Sequence, residues 1–215
     1  MWLLKEHETF IFKHPFRCYI AGPSFSGKTT LIQKILINQQ KMINKPIERI
    51  VFCYKTMQPG YEVFKYLPIQ VEFVEGLFDT NNFDPGINNL LIIDDLMEKC
   101  KDNNDILNLF TVDSHHKNIS VILVSQNIYT KGKCTRDINL NSSNMIIFKN
   151  PRDSVQISIL ARQMFPNRSK AFMEAFLDAV ETYRYIFLDF DLETSDKLRI
   201  QTNIVDDNRI IYTFN

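Results

Sequence analysis

The octet Gly22-Pro23-Ser24-Phe25-Ser26-Gly27-Lys28-Thr29 constrains the fold of this chain more than any other segment. It matches G-x-x-x-x-G-K-[ST], a pattern with physical meaning only when a strand delivers the chain into the loop and a helix carries it away. Both flanks comply. The apolar Cys18-Tyr19-Ile20-Ala21 precedes it, and Thr30 followed by Leu31-Ile32-Gln33-Lys34-Ile35-Leu36 continues it. The two glycines permit a tight turn whose successive N–H groups face phosphate oxygens, and the helix starting near Lys28 adds its positive dipole end. Residues Gly22 to Thr30 are therefore expected to hold the phosphates of ATP. Lys28 would reach the β- and γ-phosphates as a point charge, and the Thr29 hydroxyl would hold a largely hydrated Mg²⁺.

A second motif bears on whether bound nucleotide is cleaved. In Asn89-Leu90-Leu91-Ile92-Ile93-Asp94-Asp95-Leu96-Met97, four large aliphatic residues run between polar ends. Such a run reads as a central parallel strand covered on both faces. Asp94 at its tip is expected to hold the Mg²⁺ shell through water, and Asp95 to polarise the attacking water. Two adjacent acids favour hydrolysis over transfer to a bound acceptor. The same acids would also cap a helix beginning at Leu96, a role compatible with metal binding. Residues 47–54 and 69–74 are β-branched and aromatic, so at least one strand precedes the acidic strand in sequence. That order suits an α/β P-loop NTPase of the additional-strand, catalytic-glutamate type, with a central, mostly parallel sheet flanked by helices. After a helical stretch at 106–110, Ile119-Ser120-Val121-Ile122-Leu123-Val124 forms a third apolar strand ending at Ser125-Gln126-Asn127. Gln126 is placed to sense the γ-phosphate or orient the water, although a strand-end glutamine also serves as a turn residue.

Four segments then carry a family resemblance: Pro15-Phe16-Arg17-Cys18-Tyr19-Ile20-Ala21-Gly22-Pro23-Ser24, the Ile92-Ile93-Asp94-Asp95-Leu96-Met97 strand tip, His115-His116-Lys117-Asn118-Ile119-Ser120 running into Gln126-Asn127, and Phe148-Lys149-Asn150-Pro151-Arg152-Asp153. In this order they resemble the FtsK/HerA superfamily, and within it the poxvirus-type genome-packaging ATPases of nucleocytoplasmic large DNA viruses, virophages and Maverick/Polinton elements. The resemblance spans nearly the whole chain. It implies a homo-oligomeric ring, a hexamer or a pentamer, that hydrolyses ATP to drive double-stranded DNA into a preformed capsid. Capsid vertex proteins are implied partners, and host-cell assembly sites and the virion are implied locations. Ring ATPases also call for a cation donated across the subunit boundary to the γ-phosphate. Arg136 is the first candidate, Arg152 the second, with Arg162 also to be tested and Lys117 or His116 behind. FtsK-type members commonly carry an arginine before the strand ending in Gln126, where this chain has His115-His116-Lys117. Arg152 equally suits a salt bridge with Asp153.

Length and composition bound the rest. The 215 residues contain no Pro/Gly/Ser-rich linker, so a single domain over 1–215 is expected, without the nuclease half of a cutting terminase. Lys plus Arg (25) equals Asp plus Glu (25), unlike proteins that hold DNA along a broad basic face. A translocating ring needs only a few basic residues per subunit, repeated by symmetry. Lys131-Gly132-Lys133-Cys134-Thr135-Arg136 is either such a contact or a solvated loop. The four cysteines are scattered without C-x-x-C, which argues against a zinc ribbon, and Cys18 and Cys53 read as core thiols. Met1-Trp2-Leu3-Leu4 is cut short by Lys5-Glu6-His7-Glu8, and no stretch approaches the ~20 apolar residues of a membrane span, so a soluble intracellular protein is expected.

Further along, residues 144–148 read as a buried strand and 153–165 as a helix with Asp153 or Ser154 near its N-cap. Residues 169–183 read as an amphipathic helix with Phe172, Phe176, Leu177 and Val180 at helical spacing, a stripe that serves the core or a subunit contact rather than a ligand. Residues 185–190 and 210–214 read as late strands at an antiparallel edge. Tyr54, Gln58 and Tyr61 flank the loop after the second strand, where contact with nucleotide or DNA stays open. Two other classes remain: a nucleotide or nucleoside kinase, which needs an acceptor site and an arginine-bearing lid, and a non-catalytic P-loop scaffold.

Overall fold

The computed structural model describes residues 11–100, 102–130, 132, 134–152 and 154–213. Its strands form where β-branched and aromatic residues cluster, because such side chains pack well on a pleated surface. In chain order, β1 (Arg17–Ala21) leads through the phosphate loop into α1 (Lys28–Ile37) and the short α2 (Gln39–Met42). Next come β2 (Arg49–Tyr54), a 3₁₀ segment (Pro59–Tyr66), β3 (Val71–Glu75), β4 (Asn89–Asp94) and α3 (Met97–Cys100). A helical run then comprises α4 (Asn104–Asn108), a π-helical turn (Leu109–Asp113) and α5 (Ser114–His116). The rest of the chain supplies β5 (Ile119–Ser125), α6 (Thr135–Asn141), β6 (Asn144–Phe148), α7 (Ser154–Met164), α8 (Ser169–Thr182), β7 (Tyr185–Asp189), β8 (Ile200–Thr202) and β9 (Ile210–Ile211).

Among the described residues these strands make one nine-stranded sheet in the order β3-β2-β4-β5-β1-β6-β7-β8-β9. The first six are mutually parallel, and β7 to β9 are added antiparallel. The acidic strand β4 is separated from the phosphate-loop strand β1 by β5, as the additional-strand type requires. Alternate residues of the central strands enter two different cores. Ile20, Ile92 and Ile122 meet Leu31, Ile32 and Ile35 of α1 on one face. Leu91, Val121 and Leu123 meet Ile157 of α7 and Phe172 of α8 on the other. Both faces are thus covered, which explains why these strands read as continuous apolar runs. All four cysteines are buried and unpaired. Burial pushes the Cys53 thiol up to about 11 and the Cys100 thiol up to about 12.

Several expectations change. The stripe read as core or subunit contact divides: Phe172, Phe176 and Val180 are buried in the core, and Leu177 lies on the outer side of α8 with 57% exposure. The helix after β4 runs from Asn104 to His116 rather than over 106–110 alone, and its π-helical turn shifts the apolar stripe that a 3.6-residue count follows. Strand β8 was not expected, because three residues carry no periodic signal; its backbone pairing with β7 and β9 makes it a strand. Lys131, Lys133, Asp153, Phe214 and the opening residues 1–10 lie outside the described residues. Among the described residues, no helix is long and apolar enough to cross a membrane.

Candidate nucleotide site

The site is assembled where parallel strands β1, β4 and β5 end. Leaving β1, the Gly22 N–H donates to the Ser125 carbonyl at 3.1 Å, which ties the start of the loop to the tip of β5. A Cβ on Gly22 would stand 2.6 Å from the Phe148 Cβ on β6, so this glycine is required by close packing as well as by the turn. Gly27 caps α1 at φ 105°, in the left-handed region. Phe25 also adopts a left-handed conformation, φ 63°, with its side chain 103% exposed. At its start α1 has no side-chain cap and no acidic residue in its first turn. Its leading N–H groups and positive dipole end are left for an anion.

Lys28 folds back over this loop, donating to the carbonyls of Gly22 at 2.7 Å and Pro23 at 2.8 Å. Burial lowers its pKa from the ordinary value, and the Asp94 and Asp95 carboxylates act in the opposite direction. Asp94 ends β4 with only 8% exposure and accepts a 2.9 Å hydrogen bond at Oδ2 from the Tyr61 hydroxyl. Burial raises the Asp94 pKa above the usual carboxylate range, opposed by that hydrogen bond and by Lys28. Asp95 has a left-handed backbone, φ 57°, and is exposed. The Gln126 amide donates to Asp95 Oδ1 at 3.3 Å. The β4–β5 register, with Asp94 beside Val124, sets these two strand tips side by side. Thr29 is half-buried and Thr30 exposed in the first turn of α1. The oxygen-only donor set of Thr29 and Asp94 suits magnesium, which is bound through one or two carboxylates, waters and substrate phosphates.

The structure separates the remaining candidates. Arg152 lines a hollow of about 370 Å³ together with Pro23, Ser24, Gln126 and Asn150, and so stands beside the phosphate loop of its own chain. Arg136 is exposed on the first turn of α6, and Arg162 is exposed near the end of α7. Lys117 precedes β5 and so lies at the opposite end of that strand from Gln126; it is paired with Asp113 at 3.2 Å and bonded to Asn81 at 3.1 Å. Tyr61, left open in the sequence as a nucleotide or DNA contact, is 2% exposed and packed against Phe52 with ring centroids 4.7 Å apart. Its hydroxyl serves Asp94, and no sequence signal links two residues 33 positions apart.

No family model and no curated protein matches the chain. Solved structures do. The genome packaging NTPase B204 from Sulfolobus turreted icosahedral virus 2, in complex with sulfate, is similar with a TM-score of 0.58 and 14% identity over 83% of this chain and 93% of that one. The DNA-packaging ATPase B204 from Sulfolobus turreted icosahedral virus gives 0.55 and 14% over 84% and 95%. The chain shares its fold with these P-loop packaging NTPases. The B204 protein of the second virus in complex with ATP-gammaS is similar at 0.52 and 16% identity, over 83% of this chain and 94% of that one.

Proposed function

We propose that this chain, as one domain over residues 1–215, is an ATPase that packages viral double-stranded DNA into a preformed capsid. The observation that supports this reading best is the set of side chains at the tips of β1, β4 and β5: Lys28 on the phosphate loop, Asp94 held by Tyr61, and Asp95 bonded to Gln126. Arriving phosphates replace the Gly22 and Pro23 carbonyls as partners of Lys28. Thr29 and Asp94 would hold magnesium, which when bound would neutralise charge on the phosphates. Asp95 accepts a proton from the attacking water, and the Gln126 amide orients that water. The acid pair and the strand-tip glutamine support hydrolysis over transfer to a bound acceptor, and so favour an ATPase over a kinase.

The family resemblance and the fold shared with B204 support a coupling to DNA. In this reading the chain acts as a hexameric or pentameric ring at host-cell assembly sites, docks on capsid vertex proteins and is carried with the virion. Residues 131–136 grip DNA phosphates. The position of Arg152 beside its own phosphate loop favours a contact within the subunit, which leaves Arg136 as the first candidate to cross the boundary. The test is phosphate release with ATP, magnesium and linear duplex DNA. Lys28→Ala is expected to abolish tight ATP binding, and Asp95→Asn to bind ATP without turning it over. A DNA-insensitive protein that releases no phosphate and instead transfers the γ-phosphoryl group of ATP to a nucleoside or nucleotide acceptor overturns the motor in favour of a kinase; wild-type turnover by Asp95→Asn overturns the role given to that acid.

A further inference from the structure

Strand β7 runs antiparallel to β6, and its last residue, Asp189, pairs with Asn144 at the start of β6. The turn leading from β7 to β8 therefore lies at the end of the sheet where the parallel strands begin, away from the strand tips that present Asp94 and Gln126. A hollow of about 570 Å³ opens there, between this turn and the connection from α7 to α8. Part of its lining is apolar. Ile200 and Tyr212 are buried, Phe165 and Phe190 are half-buried, and Leu192 on the turn is 95% exposed. The rest is basic: Arg168, Lys197 and Arg199 line the hollow against one carboxylate, Asp196. Arg199 is fixed in the turn, paired with Asp196 at 2.7 Å and donating to the Asp189 and Asp191 carbonyls at 3.2 and 3.0 Å. Arg168 and Lys197 are exposed, so positive charge is in excess at this spot of a chain whose charges sum to zero.

We propose that this groove docks an acidic, amphipathic peptide segment of a partner protein. An amphipathic segment lays its apolar face into a hydrophobic groove and meets a charged rim with its polar face. Here Leu192 and Phe190 receive the apolar side chains, and Lys197 and Arg168 receive the carboxylates. Complementary charge of this kind selects the partner and sets its orientation more than it adds affinity. Nucleic acid also meets basic grooves, but single strands are held by aromatic rings on which bases stack. The rings here are committed elsewhere. Phe165 stacks on Phe172 with centroids 5.9 Å apart, and Tyr212 is 7% exposed with its hydroxyl donating to Asp178 at 2.6 Å. Phe190 packs against the core that holds both. What remains open to a visitor is therefore an aliphatic lip and two cations, the complement of leucine beside glutamate. The groove lies outside the nucleotide site, so this docking stands whether or not the chain hydrolyses ATP.

Fluorescence anisotropy at about 0.15 M salt, where exposed charges are screened as in cells, provides the test. The probes are a labelled helical peptide with leucine on one face and glutamate on the other, the same peptide with lysine for glutamate, and a single-stranded DNA oligonucleotide. Leu192→Ser and Lys197→Glu change exposed side chains, so both variants are expected to keep the thermal unfolding midpoint and the basal phosphate release of the wild type. The acidic peptide is expected to bind the wild type and to lose about tenfold in affinity or more with either variant. Leu177→Ser, an exposed leucine outside the groove, should leave its binding unchanged. Failure of the acidic peptide to bind overturns the proposal, as does equal binding by Leu192→Ser and Lys197→Glu, or equal binding of the lysine peptide. An oligonucleotide that binds more tightly than the peptide, and is lost in Lys197→Glu, makes the groove a nucleic-acid surface and also overturns it.

Discussion

Replacing Tyr61 by Phe removes one hydroxyl and keeps the ring, so it isolates the hydrogen bond that Asp94 accepts at 2.9 Å. The aromatic contacts with Phe52 and Phe73 persist, and no cavity larger than an oxygen is opened. A hydrogen bond to a charged group contributes about 1.5–3 kcal/mol, and here the carboxylate left behind is buried. Tyr61 stays protonated because burial and the Asp94 charge both raise its pKa, so it donates throughout the accessible pH range. The sign with pH follows from Asp94. Burial already raises its folded-state pKa, and loss of the Tyr61 hydrogen bond raises it further. A raised carboxylate pKa means that the folded state binds its proton more readily than the unfolded state, so stability falls as pH rises through the folded value. The deficit of Tyr61→Phe is therefore larger at about pH 8 than at about pH 4, close to the unfolded carboxylate value. Urea unfolding of both proteins at the two pH values measures it. An equal deficit at both, or one below about 0.5 kcal/mol at pH 8, refutes the argument, since that is the scale of an ordinary surface change. The variant should also need more magnesium for half-maximal hydrolysis while keeping its rate at saturation.

Gly22→Ala puts a methyl 2.6 Å from the Phe148 Cβ, backbone-proximal on a buried strand, so it is expected to cost about 1–3 kcal/mol in thermal or urea unfolding and to weaken ATP through displacement of the loop. On α8, Phe172→Ala should cost about 3–5 kcal/mol by emptying a fully buried site. Leu177→Lys on the same helix should stay within about 0.5 kcal/mol, because that side chain faces solvent. Similar unfolding midpoints for the two α8 variants would contradict the assignment of its buried face.

What was legible in advance was whatever lies contiguously along the chain. The phosphate loop carries its glycines, lysine and threonine within one turn, and its flanks announce strand and helix. The runs that became β4 and β5 were visible because strands covered on both faces cannot alternate with polar residues. Whether Leu177 joins the core or the outer surface of α8 was not legible, because one apolar residue beside a helical stripe satisfies the same spacing either way. β8 was missed because three residues are too few for a period to show.

The amino-acid sequence by itself therefore determined the phosphate cradle, the acidic strand tip and the α/β class, since each is written in neighbouring residues whose backbone and solvation preferences act locally. Tertiary structure alone decided that Phe148 demands a glycine at position 22, that Tyr61 rather than a ligand meets Asp94, that Asp95 and Gln126 share a hydrogen bond across 31 positions, and that Arg152 stands beside its own loop. Those contacts depend on which strand lies next to which, and strand order is settled by the packing of two whole sheet faces, a quantity that no local window of the chain contains.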